Sequence, residues 1–377
     1  MATTEAFTID STALAFRGYN ITNLGRTAEL LASPAYASIV QDELERFGSI
    51  CSEYVDYRVD LVNRVEKHFD PTLEHYEEAI SLIMASEVAQ VRLLTEVHGV
   101  EINQAKLAFG YSLGELTALG CGGMFNLEYM FRIPLTMARE CVVLAENTHM
   151  GVLFSRGPKI EEDQVVRLCL KVTSEGKGTI GVSAILSPNT MLVIGQNDTV
   201  NRFKEVMHEL LPHKAHLRIN SYQWPPLHTA IVRQKQIPDR ASVLMETMKG
   251  GVEPPCPSLM SLATGKMSYD DHSAQEVLRK WTDHPQRLWD GVMRTLSSNV
   301  DTVLHIGPEP NVIPATFRRL SENVVQQTTG SLRMRAVSGL ARRPWLASLL
   351  PANAALLRAP QVQHILLEDW LVENAPT

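Results

Sequence analysis

"AKLAFGYSLGELTALGCGG", residues 105–123, is the stretch on which the reading of this chain turns. Leu107, Ala108 and Phe109 form a short apolar run that stops at Gly110. Tyr111, Ser112, Leu113 and Gly114 come next, and helix-forming residues begin at Glu115. An apolar run, then Gly-x-Ser-x-Gly, then a helical pattern spells a strand that turns sharply into a helix around the Ser. Small residues on both sides allow so tight a turn, and the turn lifts the hydroxyl clear of the backbone. The N–H of Leu113 is left facing whatever Ser112 attacks, and the helix N-terminus favours negative charge there. A serine hydroxyl is a weak nucleophile, so the chemistry further requires a base within hydrogen-bond reach and donors for an oxyanion. A plainer reading of the same residues is a Gly-flanked turn with an N-capping Ser.

Outward from this stretch, "TALAF", residues 12–16, reads as a first strand running into "FRGYN", residues 16–20. Helical patterns fill the interval, and in "YEEAISLIMASEVAQVRLLTEV" the apolar residues recur at three- and four-residue steps. Short apolar strands alternating with helices predict a parallel sheet of the α/β class. Residues 150–220 read differently: strand "GVLFS", a helix, strands "TIGVSAI" and "TMLVIG" about the turn "LSPN", a second helix, and strand "AHLRIN". That βαββαβ order is ferredoxin-like. The expected architecture is a large α/β-hydrolase-like domain (1–149 and 221–330) interrupted by a ferredoxin-like domain (150–220) and followed by a basic extension (331–377). Between residues 318 and 343, leading into and through the start of that extension, six arginines, Arg318, Arg319, Arg333, Arg335, Arg342 and Arg343, stand against the single acid Glu322.

With 377 residues the chain can bury a large core. Charged residues at 20% and hydrophobic ones at 45% are the proportions of a soluble globular protein. A net charge of −7 argues against nucleic acid as the main partner. The five cysteines form no C-x-x-C pair, which suggests free thiols in a reducing compartment. The polar start "MATTEAFTID" carries no secretory signal, and no apolar run approaches the ~18 residues that span a bilayer. The expectation is a cytoplasmic protein that contacts no membrane.

Five segments in order resemble the malonyl-CoA:acyl carrier protein transacylase family, which includes the acyltransferase domains of fatty-acid and polyketide synthases. "GYSLGE" resembles its G-H-S-x-G-E elbow, with Tyr111 for the usual His, and "FRGYN" stands where the family has F-P-G-Q-G. "SPNTMLVIG", "PPLHTAI" and "VLHIGPEPNV" resemble its three later motifs. The resemblance implies Ser112 as nucleophile and His228 as base, the imidazole oriented by a backbone carbonyl near Trp281 rather than by an acid. It implies an oxyanion hole from the N–H groups of Leu113 and Tyr19. It also implies an arginine, on the helix after the elbow, gripping the carboxylate of the acyl group. Arg139 is the candidate, about two residues further from the elbow than in the family, with Arg132 as fallback. Leu227, just before the base, falls at the family's specificity position, and Tyr111 borders the substrate. His149 and His305 read as structural, and Glu115 as support for the first helical turn.

The activity implied by the resemblance is transfer of a malonyl-type acyl group from coenzyme A, through acyl-Ser112, to the phosphopantetheine thiol of an acyl carrier protein. Coenzyme A is then a substrate carrier, and neither a cofactor nor a metal is called for. A hydrolase of acyl carrier proteins on the same fold, a true α/β-hydrolase, and a degenerate scaffold that binds carrier proteins are the alternatives. The α/β-hydrolase fold ordinarily places an acid between Ser and His in chain order, and the ferredoxin-like insert is foreign to it.

Overall fold

A computed structural model of the chain describes residues 7–270, 274–329 and 352–376. Two sheets organise it. The larger is parallel, in the order β7-β2-β1-β8-β9, from β1 (Thr12–Phe16), β2 (Leu107–Gly110), β7 (Leu259–Met260), β8 (Thr302–Ile306) and β9 (Gln363–Leu366). β1 and β8 are buried along their whole length, because helices cover both faces of the sheet. Leu14 and Phe16 enter the core on one face and Ala13 and Ala15 the core on the other, the alternation a strand imposes.

Register brings the strand ends together. Phe16 stands opposite Gly110 on one side and Ile306 on the other. The loops after β1, β2 and β8 therefore leave the same edge, the carboxyl ends of the strands, where ligands of open α/β sheets bind.

The smaller sheet is antiparallel, in the order β4-β5-β3-β6: β3 (Thr148–Ser155), β4 (Ile180–Ser187), β5 (Thr190–Gln196) and β6 (Ala215–Gln223). Helices Glu162–Ser174 and Thr199–Val206 sit between β3 and β4 and between β5 and β6, and a separate core of Leu153, Val165, Leu168, Val193 and Phe203 joins them to the sheet. This is the ferredoxin-like order read from the sequence, and the fold class is as expected.

The stretch after 330 requires a correction. The described part of the expected extension is built into the large sheet: β9 pairs in parallel with β8, and helix Leu367–Glu373 returns to the N-terminal helices, where the Tyr36 hydroxyl donates to the Leu371 carbonyl at 3.1 Å. The apolar groups responsible, Ile365, Leu367 and Leu371, are buried. Arg333, Arg335, Arg342 and Arg343 lie outside the described residues.

Candidate active site

Ser112 sits at φ 56°, ψ −116°, a conformation an L-residue adopts only under constraint. The neighbouring glycines supply the constraint. A Cβ on Gly114 would lie 2.4 Å from the carbonyl oxygens of Phe16 and Arg17, and one on Gly110 would lie 2.1 Å from the carbonyl carbon of Gly114. The turn thus folds against the end of β1 with no room for a side chain, and helix Leu113–Cys121 starts directly after it.

The Ser112 hydroxyl lies 2.8 Å from His228 Nε2, and the His228 Nδ1–H donates to the Trp281 carbonyl at 2.7 Å. A donor at Nδ1 leaves Nε2 as an acceptor for the hydroxyl proton. His228 is itself held at φ 65°, its backbone N–H donating to the Thr282 carbonyl at 2.8 Å. Burial pushes the imidazole down to about 4, against the Trp281 carbonyl and the charge of Asp283, which pull it up. The imidazole is therefore neutral across the physiological range.

Two buried side chains complete the elbow, that of Trp281, which the sequence pointed to only for its carbonyl, and that of Gln286, which it did not single out. The Trp281 indole N–H donates to the Ser112 carbonyl at 2.9 Å, so one residue orients both members of the pair. The Gln286 side-chain carbonyl accepts the Ser112 N–H at 2.9 Å. The Gln286 backbone also exchanges two 2.8 Å bonds with β4, its N–H to the Ser183 carbonyl and its carbonyl from the Ile185 N–H. A single residue thereby joins the small sheet to Ser112.

The two implied oxyanion donors belong to the segments that touch the hydroxyl's surroundings. Leu113 opens the helix after Ser112. Tyr19 comes directly after Gly18, which packs so closely that a Cβ there would lie 2.6 Å from the Tyr111 carbonyl oxygen and 3.0 Å from Ser112 Cβ. Arg17, where the family motif has Pro, holds this loop from beneath. Its fully buried guanidinium donates to the carbonyls of Gly18, Thr22 and Pro308 and to the Asn23 side chain. Burial lowers it to about 10. The nearby Glu87 carboxyl is raised by its own burial to about 8 and accepts the Thr117 hydroxyl at 2.6 Å.

Ser112 and His228 open on a cleft of about 1910 Å³ between the two sheets, lined in part by Tyr19, Tyr76, Tyr111, Trp224 and Leu227. Tyr111 and Leu227 are among the lining residues. Arg139 is not: it is exposed on the outer side of helix Leu127–Ala145 and does not line the cleft. The fallback Arg132 pairs with Glu53 at 2.6 and 3.1 Å. Glu115 is fully buried and, instead of serving its own helix end, accepts the Leu262 N–H at 3.2 Å and the Tyr269 hydroxyl at 2.9 Å. His305 is buried on β8 at 3.0 Å from His364 of β9, and His149 lies on β3 outside the cleft lining. Arg318 and Arg319 are exposed on helix Val312–Thr329.

No family model matches the chain. Solved structures do. A malonyl-CoA:acyl carrier protein transacylase from Xanthomonas oryzae superposes with a TM-score of 0.64 at 19% identity, covering 83% of this chain and 92% of its own. An acyl carrier protein S-malonyltransferase from Vibrio cholerae gives 0.64 at 19% identity, with 82% and 93% covered. A malonyl-transacylase solved with its type II polyketide synthase acyl-carrier protein gives 0.60 at 21% identity, with 81% and 92% covered. Identities this low speak to the fold, and the fold of this chain is that of the malonyl-CoA:acyl carrier protein transacylases.

Proposed function

We propose that this protein is a serine acyltransferase, moving an acyl group from a coenzyme A thioester to the phosphopantetheine thiol of an acyl carrier protein. The observation that carries the reading is the 2.8 Å contact of Ser112 Oγ with His228 Nε2, on a strained elbow, with the imidazole held by the Trp281 carbonyl. In the first half-reaction His228 takes the hydroxyl proton as Oγ attacks the thioester carbonyl. The N–H groups of Leu113 and Tyr19 receive the oxyanion, and collapse breaks the C–S bond, the departing sulfur taking the proton from His228. In the second, the carrier thiol gives its proton to His228 and attacks the ester. Ser112 Oγ leaves and recovers that proton. Thioester donor and carrier acceptor are taken from the structurally similar proteins, one of which is named for malonyl-CoA and another of which was solved on its carrier protein.

A hydrolase of acyl carrier proteins would share both residues, and the outward position of Arg139 favours it as the second reading, because no carboxylate anchor is then needed. Intact-protein mass spectrometry after mixing with acyl-CoA separates the possibilities. An adduct lost in Ser112→Ala and discharged only on adding carrier protein is the expected result. Discharge in buffer alone would establish the hydrolase. An adduct that survives Ser112→Ala would overturn both.

A further inference from the structure

Resting on the acyltransferase reading, we infer that the acyl group carried by Ser112 is neutral and apolar or aromatic, held by an aromatic wall, and not a malonyl-type half-acid. The wall is built from the neighbours of the two catalytic residues. Tyr19 adjoins the glycine that touches Ser112, and Leu227 precedes His228. Tyr19 packs edge-on against Tyr76 at 5.0 Å and against Trp224 at 5.5 Å. All four line the cleft beside Ser112, and Tyr76 and Leu227 are only 1% and 5% exposed.

The carboxylate carbon of a malonyl ester stands three bonds from Oγ, so its charge would come to rest inside this wall. An ionised carboxylate there is costly unless a cation meets it with hydrogen bonds. Among the described residues, each arginine in a position to do so is otherwise placed. Arg139 faces solvent, and Met137, two residues nearer the elbow, is buried in the hydrophobic core. Arg132 is engaged by Glu53. Among the described residues the buried arginines are Arg17 and Arg358. The first is committed to the carbonyls of Gly18, Thr22 and Pro308, and the second donates to the carbonyls of Leu296 and Val300. The cations that do line the cleft, Arg156, Lys159, Arg218 and Arg319, are exposed, with their charge already solvated. Flat aromatic faces and a branched aliphatic side chain complement an uncharged acyl chain or ring instead.

The test tracks adduct formation on the full chain by time-resolved intact mass, with malonyl-, acetyl-, hexanoyl- and benzoyl-CoA offered separately. Hexanoyl or benzoyl should load about tenfold or more faster than malonyl, each decade being about 1.4 kcal/mol of discrimination. Trp224→Ala should slow hexanoyl and benzoyl loading more than acetyl loading, which general damage to the fold would not do. Malonyl loading at or above the rate of the neutral esters overturns this inference and leaves the acyltransferase standing, with one of the exposed arginines as anchor. Failure of every ester to leave an adduct overturns the acyltransferase reading itself, and this inference with it.

Discussion

Acylation of Ser112 should persist in acid to a pH near 4, well below where an ordinary histidine base fails. The perturbation is pH itself, and the group it acts on is His228. Complete burial lowers its imidazole from 6.5 to about 4, only partly offset by the Trp281 carbonyl and Asp283. The base works only when neutral. At pH 5 an imidazole titrating at 6.5 would be neutral in about 3% of molecules, and one titrating at 4 in about 90%, a difference of about thirtyfold in rate. The assay is the pseudo-first-order labelling of Ser112 by a fluorophosphonate between pH 4 and 8, with far-UV circular dichroism recorded at each pH. A flat rate down to about pH 5 is expected, with a tenfold fall per unit below 4. A midpoint near 6.5 would show a solvated imidazole and refute the burial argument. The same shift bears on stability. Because the folded-state value lies below the unfolded one, protonation favours the unfolded chain. The contribution is whole above about 6.5 and is lost as pH falls from there through 4, about 3 kcal/mol at about 1.36 kcal/mol per unit. Burial lowers His364 to about 4 and holds His305 well below the ordinary histidine range, so acid weakening of the fold is shared, while the labelling rate reports on His228 alone.

Gln286→Leu should leave the Ser112 N–H buried without an acceptor, at a cost of about 1–3 kcal/mol. The denaturant midpoint should fall accordingly and the labelling rate should fall with it, whereas unchanged values would mean that water replaces the side chain. Gly114→Ala would drive a Cβ into two backbone carbonyls, which cannot rotate away as a side chain could. A loss of about 2 kcal/mol or more is expected, read as a lower Tm together with a lost labelling rate, and retention of both would contradict the packing described for the elbow.

The parts of this site that were legible in the sequence are those set by local chemistry. β1, β2 and β8 are short, mainly apolar runs with a glycine at their end or within two residues of it, and Ser112 declares itself by the glycines that its turn requires. His228 and the carbonyl of Trp281 came from motif order. The features that were not legible depend on long-range pairing. β7 is two residues long, and the residues of β9, Gln-His-Ile-Leu, have no pattern of their own until β8 lies beside them. Gln286 is one polar residue in a polar loop, and its role exists only because β4 fixes its backbone. The outward position of Arg139 follows from the helical period. Met130, Phe131, Ile133, Met137 and Cys141 mark the buried side of that helix. Arg139 lies nine residues beyond Met130, two and a half turns at about 3.6 residues each, and so on the opposite side.

The outermost strand of the large sheet imposes an order on synthesis. Ser112 leaves the ribosome long before His228, and β8, buried throughout in the finished fold, has no neighbour on its outer edge until residues 363–366 emerge. An uncovered edge of that kind invites pairing with other chains. The helix after β9 supplies Glu368, whose carboxylate accepts the N–H groups of Arg26 and Glu309 at 2.8 Å each, next to the loop that Arg17 grips. A chain shortened to residue 330 would therefore not be a trimmed protein but an unfinished one, with a sticky sheet edge and a loosened Arg17 loop.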